Sequence, residues 1–99
     1  MFLVRDIMYC KPGQVRPMVE KFLALSKLGQ ELGLGPMDVM TDVTAERYWT
    51  VVTQVELESL DTYEAITRKA MENPAFQQAM AGYHDHVVEG RREIYKIER

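Results

Sequence analysis

Residues 48–57 read YWTVVTQVEL, where Trp49, Val51, Val55 and Leu57 alternate with Tyr48, Thr50, Val52, Gln54 and Glu56. A two-residue period sends neighbouring side chains to opposite faces of a strand, and β-branched and aromatic residues suit a pleated sheet. A strand with one face this apolar needs another layer over it. The rest of the chain therefore has to supply both pairing strands and a cover.

The flanking segments contain both. Phe2 to Tyr9 is a second apolar run, closed by the turn signal Lys11-Pro12-Gly13. From Val15 the period lengthens: Val15, Met18, Val19, Phe22 and Leu25 recur at three- and four-residue steps, which predicts an amphipathic helix. Pro17 fits its first turn, where a missing N–H loses no intrahelical acceptor. Gly29, Gly33 and Gly35 break the helical period, Pro36 leads into a strand over Met37 to Val43, and Thr44 to Arg47 turns the chain into the strand at Tyr48 to Leu57. Ser59 reads as an N-cap, with Asp61 placing negative charge near the helix's positive end. Asn73-Pro74 interrupts this second helix, a further amphipathic run extends from Phe76 to about Val87, and Gly90 ends it. Arg91 to Glu98 reads as a last strand, charged enough to sit at an edge.

This βαββαβ order predicts a ferredoxin-like α+β fold: one antiparallel four-stranded sheet with both helical segments on the same side. At 99 residues and 46% hydrophobic content, one domain over residues 1–99 is expected. The first strand carries Leu3, Arg5, Ile7 and Tyr9 on one face and Phe2, Val4, Asp6 and Met8 on the other, so neither is plainly a solvent face. With Trp49, Val51 and Val55 under the helices, Phe2, Val4, Met8, Tyr48 and Val52 are expected on the uncovered side. Roughly 500 Å² of such surface left wet forgoes about 12 kcal/mol at about 25 cal/mol per Å². A second copy closing that face into a homodimer is the expectation.

Charge narrows the function classes. The net charge of -3 and the scattered basic residues argue against a nucleic-acid surface. Arg5 and Asp6 interrupt the apolar N-terminus before it reads as a signal core, and no other run approaches a membrane span. The single Cys10 makes no internal disulfide, so a reducing, cytoplasmic setting is expected. The glycines at 29, 33 and 35 follow a helix rather than a strand, which excludes a nucleotide-binding glycine loop, and no cofactor is expected.

Three stretches, CKPGQVRPMVEKF, WTVVTQVELESLDTYEAI and NPAFQQAMAGYHDHVVEGRREIYKI, together resemble the dimeric α+β barrel superfamily, most of all NIPSNAP-type proteins. The resemblance spans nearly the whole chain and implies a homodimeric barrel whose facing sheets enclose a cavity. That superfamily also includes cofactor-independent monooxygenases of the antibiotic-biosynthesis type and heme-degrading enzymes. In the heme-degrading members an asparagine, a tryptophan and a histidine carry the activity, and the resemblance places those positions at Asp6, Ile66 and Met80. None matches, which disfavours heme degradation.

Two motifs remain as candidate chemistry. YHDH, residues 83–86, is the densest cluster of titratable groups, but on a helix His84 and His86 are two steps of about 100° apart and diverge, too far apart to share an ion. On a strand they would share a face. His84 alone is a candidate at a cavity mouth, and no metal is expected. Asp6, among Phe2, Val4 and Met8, is a carboxylate in apolar company and needs a partner. Gln54 is the expected one, either as a structural polar pair or beside a general base or substrate anchor. The candidate cavity lining is Phe2, Val4, Met8, Tyr48, Val52, Gln54 and Glu56, with Asp6 and His84 as candidate catalytic residues. The expected function is binding of a small hydrophobic or aromatic molecule by a homodimer, and the alternative is a cofactor-independent monooxygenase- or isomerase-like enzyme using Asp6.

Overall fold

A computed structural model describes residues 1–99. The elements run β1 (Phe2–Cys10), α1 (Val15–Glu31), β2 (Met37–Thr41), β3 (Thr50–Leu57), α2 (Leu60–Glu72), α3 (Pro74–Ala79), α4 (Tyr83–His86) and β4 (Val87–Lys96). The four strands form one antiparallel sheet in the order β2-β3-β1-β4, and the helices pack on one of its faces. This is the ferredoxin-like α+β fold expected from the sequence, with β4 at an edge.

Local chemistry accounts for the element ends. Ser59 Oγ accepts from the N–H groups of Asp61 and Thr62, and Asn73 Oδ1 accepts from Ala75 N–H ahead of Pro74, so α2 and α3 each start on a side-chain cap. Helix α1 runs through Gly29 and stops two residues past it. Gly33, at φ 101°, lets Leu34 N–H reach back to Gly29 O at 2.8 Å while its own N–H bonds Gln30 O, a Schellman ending. The Phe76 to Val87 run divides: α3 ends at Ala79, Gly82 adopts φ 80°, and only one further turn, α4, precedes β4. Lys21 Nζ donates to the carbonyls of Ala79 and Ala81, satisfying the end of α3 from α1.

β4 begins at Val87, four residues earlier than the sequence suggests. Gly90 is inside this strand, not at a helix end. It pairs with Met8, and a Cβ there would lie 3.1 Å from Ile7 O, so the glycine permits a close strand approach. β3 begins at Thr50, leaving Tyr48 and Trp49 in the connection from β2. Trp49 does not pack under the helices. It is 43% exposed at φ 63°, a conformation costing a non-glycine residue about 1–3 kcal/mol.

The register decides which face is which, and it reverses the expected assignment for β1. Val4 lies opposite Val55, Asp6 opposite Thr53 and Met8 opposite Val51. Directly opposed residues share a face, so Phe2, Val4, Asp6 and Met8 are on the helix side with Leu57. Leu3, Arg5, Ile7 and Tyr9 join Glu56, Gln54, Val52 and Thr50 on the open side. The core under the helices has two parts: Met8, Cys10, Met18, Val19, Phe22 and Val51 in one, and Val4, Val55 and Leu57 in the other. Met18 and Val51 are fully enclosed, each burial contributing about 1.5–3 kcal/mol.

Candidate functional site

Between the two core clusters the layers do not close. A pocket of about 290 Å³ lies between α1, α2, α3 and the sheet, with mostly apolar walls that include Val4, Met8, Phe22, Ile66, Phe76 and Met80. Ala70 on α2, with only a methyl group, and Gly29 on α1, with no side chain, stand in the lining, which leaves room where larger residues would fill the gap.

Polar groups converge at one part of this wall. Asp6 on β1 and Arg92 on β4 are cross-strand partners, and Arg92 holds the carboxylate through two N–H groups: Nε to Oδ1 at 2.7 Å and Nη2 to Oδ2 at 3.3 Å. The guanidinium carbon lies 5.5 Å from the centre of the Tyr63 ring, while Thr53, Thr67 and Tyr83 complete the polar lining. With the Arg92 side chain about half exposed, the ion pair contributes on the order of 1 kcal/mol. The Asp6 hydrogen bond holds the Arg92 proton more tightly than usual. Burial pushes the Tyr63 phenol up from its ordinary value against the pull of Arg92, with Asp6 adding to the rise, and burial followed by Asp6 raises Tyr83. Both phenols are therefore neutral hydroxyls at ordinary pH, able to donate as well as accept. Tyr83 is fixed edge-on against Phe22, ring centres 6.3 Å apart.

The sequence-derived candidates do not gather in one place. Val4, Asp6 and Met8 line this pocket, on the face opposite to the one expected. Phe2 shares their face beyond the pocket, opposite Leu57. Val52 and Gln54 lie across the sheet in a more open, mostly polar hollow of about 420 Å³, and Glu56 on that same face pairs with Arg99. Gln54 therefore does not partner Asp6. It accepts from Arg5 Nε at 3.1 Å, because Asp6 opposes Thr53 and neighbouring register positions point to opposite faces. Tyr48 is 85% exposed in the β2–β3 connection.

The histidines also separate. Residues 83–86 are helical; His86 Nδ1 lies 2.7 Å from Gln14 Oε1, whereas exposed His84 packs edge-on against Tyr83 in a separate surface hollow. The structure thus does not bring His84 to Asp6. Arg92 and Tyr63 are the site residues that sequence reasoning missed. The available signal was cross-strand: Arg92 already lies in the strand read from the sequence over Arg91 to Glu98, and the β1–β4 register sets it opposite Asp6.

No protein-family model matches this sequence, nor does any curated protein. Solved structures do. A NIPSNAP family protein of unknown function from Agrobacterium tumefaciens is similar at a TM-score of 0.83 and 17% identity, covering 100% of this chain and 89% of that one. A NIPSNAP-like domain protein from Burkholderia xenovorans is similar at 0.82 and 15% identity, covering 98% and 84%. A putative antibiotic biosynthesis monooxygenase from Nitrosomonas europaea follows at 0.74 and 12% identity, covering 97% of both chains. At these identities the likeness establishes the shared fold, and both groups named are those the sequence resembles.

Proposed function

We propose that this chain binds a small apolar or aromatic molecule in the pocket between its helices and its sheet. The observation that carries the reading is the pocket's make-up: continuous apolar walls with one polar corner formed by Asp6, Arg92 and Tyr63. Concave apolar sites with a few placed polar groups are the usual form of a small-molecule site. At about 290 Å³ the space suits one or two fused rings. The test is a titration with 2-naphthol, a neutral bicyclic phenol, followed through the methyl NMR signals of Met8, Met37 and Met80, all in the lining. Saturable shifts are expected in the native chain, with at least about tenfold weaker binding in Ala70→Phe, which fills the pocket. Shifts that survive Ala70→Phe would place the binding elsewhere.

A second reading is catalytic, with Asp6 as general base or substrate anchor, and the presence of its carboxylate in the pocket wall supports it. For any substrate found, loss of turnover in Asp6→Asn with retained binding is the expected signature of a general base, and loss of binding that of an anchor.

The proposed working unit is a homodimer closed through the open sheet face. Four strands about 4.8 Å apart and some 27 Å long present roughly 500 Å² per subunit, so the pair buries about 1,000 Å², the lower end for a specific interface. Exposed Met40, Val43 and Tyr95 add apolar contact. Sedimentation at micromolar concentration is expected to show twice the chain mass, and a single-chain mass there would remove the dimer. No helix of the chain is long and apolar enough to cross a membrane. With its single cysteine buried and unpaired, a reducing cytoplasmic setting fits best.

A further inference from the structure

The polar corner of the pocket is electrically complete before any ligand arrives. Asp6 neutralises Arg92 through two of its N–H groups, leaving roughly three of the five guanidinium donors for another acceptor. The next charged contacts of the sheet, Arg5 with Glu93 and Arg91 with Glu93, lie on the opposite face. Within the pocket lining Asp6 and Arg92 are the only charged residues. A carboxylate reaching for Arg92 would therefore sit beside the Asp6 carboxylate against apolar walls. Two like charges in such a setting oppose each other, and a desolvated anion is costly unless a cation is available to it. A neutral carbonyl oxygen accepts the same guanidinium N–H bonds without meeting either cost.

We propose that Asp6 is a specificity-determining residue: by occupying the counter-ion position at Arg92, it makes the pocket select neutral apolar molecules carrying a hydrogen-bond acceptor over the corresponding carboxylates. Aromatic ketones, aldehydes and esters are the class implied. This inference rests on the reading of the helix–sheet pocket as a small-molecule site and adds the chemistry of its ligand. Tyr63, its ring centre 5.5 Å from the Arg92 guanidinium carbon, lines the same pocket with a neutral hydroxyl that is a further donor for such a ligand.

The test compares 2-acetylnaphthalene with 2-naphthoate, equal in ring system and opposite in charge state, using the methionine methyl signals of the full chain. The native protein is expected to bind the ketone at least about tenfold more tightly than the carboxylate. In Asp6→Asn, which keeps the side chain's shape and removes its charge, the carboxylate is expected to gain at least about tenfold while the ketone changes less than about threefold. Arg92→Gln, on an edge strand with its side chain half exposed, serves as the second variant should Asp6→Asn fail to fold. It is expected to weaken the ketone about three- to tenfold and to leave the carboxylate weaker than in the native chain. Equal native affinities for the two probes, an unchanged ratio in Asp6→Asn, or a gain of carboxylate binding in Arg92→Gln would each overturn the charge selection while leaving the pocket in place. Absence of methyl shifts with both probes in the native chain would overturn the pocket reading itself.

Discussion

The two faces of the sheet are built from the same four strands and solve opposite problems. On the helix side Val4, Met8, Val51, Val55 and Leu57 are buried among helix side chains, and the only charges in the pocket wall are one cross-strand pair, Asp6 with Arg92. On the open side charges are spread: Arg5 bonds Gln54 and lies 3.6 Å from Glu93, while Arg91 donates to Tyr9 Oη at 2.8 Å. Ile7 and Tyr9 on that side are nonetheless buried, and residues of the β2–β3 connection line the hollow over them. Arg47 from that connection stacks 4.2 Å from the Tyr9 ring centre and also pairs with Glu89. The open face is thus partly roofed by its own chain and dressed with hydrogen-bonded charge, much less oily than the inverted assignment implied. Stability belongs chiefly to one face, and adaptable surface to the other.

The sharpest way to break that comparison is to cut into the helix side. Met18→Ala removes a fully enclosed side chain and is expected to cost about 3 kcal/mol in urea unfolding. A cost under about 1 kcal/mol would mean that the helix layer is loosely packed and the contrast between faces is weak. Ser59→Ala tests the same layer at its margin. Removing the oxygen that accepts from Asp61 and Thr62 N–H should cost about 1 kcal/mol, and it should loosen the α2 wall of the pocket without touching the open face.

A smaller effect separates the faces by pH. Tyr63 and Tyr83 on the helix side have phenols raised by burial, so the folded state holds their protons more tightly than the unfolded state does. That stability is fully present below the unfolded phenol value of about 10 and is lost as pH rises through the raised folded values. Tyr63→Phe and Tyr83→Phe are each expected to flatten the fall in stability above about pH 10 and to leave its slope near neutrality unchanged. Equilibrium unfolding across an alkaline series reads this directly, and an unaltered alkaline limb in both variants would show that the phenols are as well solvated folded as unfolded.

Much of this architecture was legible in the sequence, for local reasons. The change from a two-residue to a three- or four-residue apolar period marks β1 against α1, and Ser59 and Asn73-Pro74 mark helix starts whose capping bonds the structure contains. What escaped was non-local. Both faces of β1 are apolar, so its pattern could not say which one meets the helices, and moving the assumed pairing by one residue exchanges them. The sequence alone therefore matches Asp6 with Gln54, which lies across the sheet, in place of Arg92 on the neighbouring edge strand. Gly90 invited the reading of a helix stop because its role, allowing β4 close to Ile7 O, depends on a strand more than eighty residues away in sequence.

The smallest expected effect is also the one that distinguishes a wet open face from a covered one. Gln54→Ala removes the acceptor for Arg5 Nε, yet in an isolated chain Arg5 keeps Glu93 nearby and water replaces the lost partner, so the cost should be at most about 0.5 kcal/mol. Between two copies packed sheet to sheet the same arginine would be desolvated, and leaving its donor unmatched should cost about 1–3 kcal/mol. Association stabilises the native state by mass action, so the penalty should grow with protein concentration only where the dimer forms. Unfolding Gln54→Ala and the native chain at concentrations about a hundredfold apart measures that growth. A penalty that stays at or below about 0.5 kcal/mol over this range means that the open face remains in water, and the proposed pocket beneath the helices then belongs to a single chain.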